Sequence, residues 1–549
     1  MITNTLIRAM SGGKSVWHEG KCVSSISAAA RLWSMLCLVF FATLPVSAQE
    51  VQSGPEVIDE DYHDTSIPVR DMAPVAPPAG SRQFVVPLRR RPGPPIISSE
   101  PDAVSQNLEQ GPLVGTTNKL NFDGVRIRDG IAPPDTNASV GATQVVEVVN
   151  ISFQVFSKST GRTVFGPAEI SSIFPGVPGA CGSGPDYTDP VALYDKAAGR
   201  WLVTILASSD GFKTGFECFA VSITSDATGS YNRYAFSFSP NLNDYPKFGV
   251  WPDAYYGSYN MFSASAFLGA KVCAYSRGAM LAGKTALSIC FQRPTSDFTL
   301  LPSDLDGHTA PPAGEPNFLL ELATSTTLNL FKFHVDFTTP ANATFTGPTM
   351  LTVPSFTEAC AGIGTLGTCI PQPGTTQRLD SLGDRMMFRL AYRKFAGHEA
   401  LVATHSVKTS LAASGVRWYE VRNPNTSPTV FQRGTVAAGS TSLWMGSIGM
   451  DKVGDIAVGF SESSSSLHPA IAYTGRVPTD PLGTMESIDV TFKGNGSQTS
   501  GLSRWGAYSS ISIDPIDDCT FWYANEYIPS NGIFNWHTRL NSFKFTSCK

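Results

Sequence analysis

A strand–turn–strand unit recurs along this chain, and no other sequence feature restricts the fold as strongly. Three stretches align without forcing: VALYDKAAGRWLVT from Val191, SIGMDKVGDIAVGF from Ser447 and SISIDPIDDCTFWY from Ser510. Each reads as a strand ending in an aspartate (Asp195, Asp451, Asp514), a polar turn and a second strand. Looser copies begin at Asp253 and Met387. Strand starts placed at Asp189, Asp253, Asn317, Asp384, Met445 and Tyr508 lie 64, 64, 67, 61 and 63 residues apart, and a shorter unit from Thr143 makes a seventh. A period near sixty, filled by three or four strands, predicts an all-β, seven-bladed β-propeller, with six or eight blades left open. An immunoglobulin array would need about 100 residues per domain. The last unit has room for three strands only, so an N-terminal strand near residues 118–128 is expected to complete it. That closure would remove an exposed sheet edge.

The N-terminus reads as an export leader. Arg31 precedes an apolar run, Leu32 to Leu44, which is followed by Val46-Ser47-Ala48 and a cleavage point before Gln49. Residues 1–48 are therefore assigned to a signal peptide, and the mature chain to a secreted, periplasmic or cell-surface location with no transmembrane span. Export gives the cysteines a meaning. Eight of the ten lie beyond the leader, and sequential pairing gives Cys181–Cys218, Cys273–Cys290, Cys360–Cys369 and Cys519–Cys548, four local loops. Other connectivities remain open at this point. A net charge of −5 with 15% charged residues gives no basic footprint for nucleic acid. A monomer is expected.

Residues 49–117 read as a disordered Pro-rich linker (VAPPAG, VVPLRRRPGPP), with Arg89-Arg90-Arg91 a solvated run, and 118–549 as the propeller domain. In that geometry Asp195, Asp451 and Asp514 cap turns on one face. Residues at strand starts converge on the other face, at the channel mouth. These are Asp135 and Asn137 (PPDTN), Asp189, Trp251 and Asp253 (VWPDAYY), Asp384, and Arg504, Trp505 and Tyr508 (RWGAYSS). Carboxylates with an arginine and aromatics suit glycan binding. Two of Asp135, Asp189, Asp253 and Asp384 at about 5 Å or 6.5–9.5 Å would suit glycosidic acid/base chemistry. The same ring could hold Ca²⁺, which takes oxygen ligands. Asp304 and Asp306, in Ser303–His308, form a weaker metal-loop candidate lacking the full EF-hand register. HExxH and GxSxG are absent from the mature chain.

PPDTNASVGATQVVEVVN, DPVALYDKAAGRWLVT, DYPKFGVWPDAYY and RWGAYSSISIDPIDDCTFWYANEY resemble motifs of a group of exported bacterial proteins without assigned activity. The resemblance spans roughly residues 121–549 and implies a propeller or sialidase-superfold-like domain, with no catalytic residue carried over. The sialidase Asp-box S-x-D-x-G-x-x-W is missing; Ser209-Asp210-Gly211 is a fragment of it. The leading expectation is an exported propeller that binds an extracellular glycan or surface protein at its channel mouth. The alternative is a glycoside hydrolase or other polysaccharide-cleaving enzyme built on the paired aspartates.

Overall fold

A computed structural model describes residues 54–72, 83–111, 115–363, 367–409 and 413–549. The leader expected over 1–48 lies outside the described residues. The chain is nearly all β, with two short α-helices, Ala180–Ser183 and Arg277–Leu281. Among the described residues, antiparallel units of four strands recur seven times, two of them within one nine-stranded sheet, beside two separate two-stranded sheets. The first strands of these units are Asn137–Val140, Asp186–Asp195, Leu242–Val250, Leu301–Asp306, Met387–Lys394, Ser442–Met450 and Ser510–Ile513. Each packs against the first strand of the next unit, and the seventh packs against that of the first. The fourth and fifth units are also joined by parallel pairing of Leu301–Asp306 with Met387–Lys394.

Burial explains the strand patterns. The first strands are enclosed on both faces: every residue of Asp186–Asp195 and Leu242–Val250 is buried. Strands farther out are only partly enclosed, as in Thr327–His334, where Leu328, Leu330, Phe331 and Phe333 are buried while Thr327, Asn329 and Lys332 are half-buried and His334 is exposed. Close approach at the centre requires small residues. A Cβ at Gly249 would lie 2.2 Å from the Ser303 carbonyl oxygen on the next unit's first strand. Apolar layers between sheets, anchored by buried Trp201, Trp418, Trp444 and Trp505, form the core.

The seventh unit draws its fourth strand from Thr116–Arg126, which pairs antiparallel with His537–Phe545. This is the N-terminal closure expected from the strand count. All four sequential disulfides are present. Cys273 and Cys290 sit directly opposite each other on adjacent strands.

The reading of 49–117 as a disordered linker is corrected over its described residues. Glu56–Asp59 pairs with Leu287–Gln292, and Tyr62–Thr65 with Tyr231–Ser237, adding a fifth strand to the third and second units. Ser105–Asn107 lies parallel to the outer strand of the fifth unit. A Pro-rich segment cannot build its own core, but it can satisfy the open edge of an existing sheet, and that pairing is non-local. The repeat frame also needs correction. Asp253 precedes, and Asn317 opens, the second strand of its unit rather than the first. The first strands there begin at Leu242 and Leu301.

Candidate functional site at the channel mouth

First strands begin on one face, the mouth face, and end on the other in hairpin turns. Each start carries a non-glycine residue with positive φ: Asp135 (51°), Asp189 (54°), Tyr245 (57°), Thr299 (54°), Leu382 (41°), Met445 (54°) and Ala507 (60°). This conformation costs of order 1–3 kcal/mol where the side chain is not glycine, so surrounding contacts must hold it. At Thr188/Val191, Asp244/Lys247 and Trp444/Ser447 the ladder shifts register, a bulge that re-aims side chains.

The re-aimed groups meet at the centre. Lys247, 1% exposed, places Nζ 3.5 Å from the Tyr245 ring centroid and 4.0 Å from that of Tyr508. It donates to the Pro246 carbonyl at 2.8 Å and lies 4.0 Å from Asp189 Oδ1. Burial pulls the ammonium down to about 8, against the opposing pull of Asp189 and Asp135. Burial, reinforced by the Asp189 charge, holds the Asp135 carboxyl well above its usual range. The Asn150 amide oxygen accepts the Asp189 backbone N–H at 3.1 Å, and the Tyr508 hydroxyl donates to the Pro190 carbonyl at 3.0 Å.

Ion pairs surround this centre. Arg385 Nε donates to Asp384 Oδ1 at 2.9 Å; burial alone would raise that carboxyl, but the guanidinium holds it at about 2. Arg504 donates to Asp380 at 2.9 Å. Burial lifts Asp244 to about 6 despite Arg89, whose guanidinium donates to it at 3.1 Å. The run Arg89–Arg91, expected to be solvated, is thus partly engaged with the mouth.

The structure sorts the expected site residues. Asp135, Asp189, Asp384, Arg504 and Tyr508 do gather at or around the mouth. Asn137 is buried, with its side-chain oxygen accepting the Ala192 N–H of the next unit at 3.0 Å, a bridge between sheets. Trp505 is also buried, donating to Ser461 at 3.1 Å. Trp251 and Asp253 are misplaced by the frame slip: they follow the end of Leu242–Val250 on the hairpin face. Trp251 there packs on Tyr392 at 4.7 Å and donates to the Glu315 carbonyl at 3.0 Å. Asp253 sits in an exposed turn beside it.

Asp304 and Asp306 lie in a first strand, not a loop. Arg389 donates to Asp304 at 2.8 Å and also pairs with Asp306, which Lys196 meets from the hairpin turn of the second unit. A cation there would compete with the fixed positive charges of Arg389 and Lys196. The mouth carboxylates likewise face Lys247, Arg385, Arg504 and Arg89, an arrangement poor for Ca²⁺. Among the described residues the one His/Cys/Asp/Glu group within ligating distance is Asp451 with Cys519 and Cys548, and those sulfurs form a disulfide.

Asp195, Asp451 and Asp514 do cap turns, accepting the N–H of Ala198, Val453 and Ile516 at 3.0, 3.0 and 2.9 Å. Lys247, Tyr245, Asp244 and Arg385 were not singled out from the sequence. The available signal was a lysine inside the apolar run DYPKFGVW, where a solvated residue is out of place.

Beside the filled mouth a groove of about 490 Å³ opens on the same face. It is formed by the loops after the second strands of the second and third units. Phe212, Phe262 and Phe267 line it together with Arg89, Lys213 and Ser263. Arg89 sits 5.3 Å over the Phe262 ring, and Phe262 lies 5.3 Å from Phe267.

No protein-family model matches the chain, and no curated protein matches it. Solved structures similar to it at low identity include the following three. The WD40 domain of SCAP from fission yeast is 10% identical with a TM-score of 0.32, covering 74% of this chain and 82% of that one. Penicillium chrysogenum α-L-arabinanase, complexed with arabinobiose, is 11% identical with a TM-score of 0.34, covering 67% and 100%. An exo-β-1,3-galactanase of Phanerochaete chrysosporium is 11% identical with a TM-score of 0.30, covering 78% and 96%. The functional reading rests on the chain's own geometry.

Proposed function

We propose that the seven units are blades of a closed β-propeller, and that this is an exported binding module which takes a glycan in the groove beside its mouth. The groove carries the reading. Phe262 and Phe267 offer half-buried apolar surface beside the buried Phe212, while Lys213, Arg89 and Ser263 supply polar groups that fix a sugar's orientation, the composition expected of a ligand pocket. The exposed Lys213 ammonium favours a sugar bearing a carboxylate or sulfate. Four disulfides fit an oxidising compartment. Among the described residues no helix is long and apolar enough to cross a membrane.

A second reading, polysaccharide cleavage, draws on one observation: a raised carboxyl, Asp135, beside Asp189 and Lys247 is a plausible acid paired with a base. Those groups are buried, however, and the cavity described lies to one side of them. Binding is therefore the conclusion.

One polysaccharide panel tests both. Retention of an acidic glycan by wild type, weakened at least tenfold in Phe262→Ala and Lys213→Ala, is the expected result. Equal retention by the variants would remove the groove. Release of reducing ends by wild type but not by Asp135→Asn or Asp189→Asn would replace binding with hydrolysis.

A further inference from the structure

The segment Gln83–Ser98 lies on the mouth face in the manner of a bound peptide. Phe84–Val85 pairs parallel with Ile131–Ala132. Beyond that point the contacts are made by side chains reaching for its backbone. Arg504 Nε donates to the Val86 carbonyl at 3.1 Å, and Arg385 donates to the Arg89 carbonyl at 2.7 Å. The Asp384 carboxylate accepts the Arg91 N–H at 3.0 Å. Glu358 Oε2 accepts the Ile96 N–H at 3.1 Å, while the Glu358 N–H returns a bond to the Ile96 carbonyl at 3.0 Å. Thr357 accepts the Ser98 N–H at 2.9 Å.

These receptor groups come from separate parts of the chain: Glu358 follows the fourth unit, Asp384 and Arg385 precede the fifth, and Arg504 precedes the seventh. Val86 and Ile96, 5% and 7% exposed, anchor the two ends, and the Pro-Gly-Pro-Pro run from Pro92 is exposed between them. Charge adds selectivity. Arg89 meets Asp244 at 3.1 Å, and Arg91 meets Glu358 at 3.6 Å. A cavity of about 220 Å³ remains beside Arg90 and Arg91, walled by Glu358 and Asp384.

A loop that merely crossed a surface would leave most of its backbone to water. Here backbone groups of Val86, Arg89, Arg91 and Ile96 are each answered by a charged side chain, as in recognition of an extended peptide. The Pro-rich sequence restricts the backbone beforehand, which reduces the ordering cost of binding.

We propose that the mouth is a binding site for an extended, arginine-bearing peptide, and that Gln83–Ser98 is its resident occupant, exchangeable for such a peptide supplied by another molecule. Its receptor residues Glu358, Asp384, Arg385 and Arg504 are not groove residues, although Arg89 of the segment also lines the sugar groove.

The test uses a fluorescent peptide with the sequence of Gln83–Ser98 and the full mature chain carrying Arg91→Glu. That substitution sets the segment's own carboxylate against Glu358 and Asp384. Saturable binding at least tenfold tighter than to wild type is expected. It should fall at least tenfold when the peptide's three arginines are replaced by glutamine. No saturable binding to a variant that keeps a cooperative thermal transition would overturn the proposal, as would equal binding of the glutamine peptide. Should the variant fail to fold, the wild-type protein decides the matter. Excess unlabelled peptide should accelerate hydrogen exchange of the Arg91 and Ile96 amides at least threefold, and unchanged exchange would make the segment a permanent brace.

Discussion

Glu147 shows what buried charge does to this protein residue by residue. It is fully buried, its Oε2 accepts the Val125 N–H at 2.9 Å, and burial raises its carboxyl to about 7. Folded and unfolded chains both hold the proton below about pH 4.5, so the stabilisation is whole there. As pH rises towards 7 the unfolded state releases the proton first, and stability is lost. Glu321 and Glu462, raised by burial to about 8 and about 7, act in the same direction. The wild-type melting temperature should therefore fall between pH 5 and pH 8. Glu147→Gln, which keeps the acceptor for Val125, should flatten part of that fall and gain roughly 3 kcal/mol over wild type at pH 8. Identical pH profiles for the two proteins, followed by calorimetry, would remove Glu147 from the account.

The N-terminal strands act at the scale of elements. Glu56–Asp59 and Tyr62–Thr65 cover the outer edges of the third and second units, and Val69 and Met72 are buried just beyond them. Deleting residues 54–72 uncovers both edges and that apolar surface. Amide exchange in Tyr231–Ser237 and Leu287–Gln292 should quicken, and the melting temperature should drop by several degrees. Unchanged exchange in both strands would show that the added strands are decoration. The Pro-rich composition gave no hint of this role, because the partners lie about 170 and 230 residues away along the chain and edge pairing leaves no local periodicity.

At the scale of the whole molecule, the seventh unit joins Thr116–Arg126 to the last strand, His537–Phe545. Thr116–Arg126 supplies its outer strand, and Cys519–Cys548 ties a hairpin turn to the C-terminus. Replacing both cysteines by serine should cost about 2–4 kcal/mol while leaving a folded ring. Removing residues 116–126 takes away a whole strand and reopens an edge, so the cooperative thermal transition should disappear. If the strand deletion melts no lower than the cysteine variant, the ring closes without that strand.

The sequence by itself determined whatever depends on neighbours along the chain. Strand alternation and the turn-capping aspartates Asp195, Asp451 and Asp514 were legible because their causes lie within one hairpin, whereas the sequential disulfide pairing was one of several connectivities until the fold chose it. The strand deficit of the last unit also pointed to its N-terminal partner. Tertiary structure alone decided which strand of each unit faces the axis. Tyr255–Phe262 and Leu242–Val250 carry similar residues, and only packing between sheets makes the latter innermost, which sends Trp251 and Asp253 to the hairpin face and Lys247 to the centre. It likewise decided that a Pro-rich segment occupies the mouth. Hydrogen bonds from Arg385, Arg504, Asp384 and Glu358 to its backbone exist only once separate units have come together.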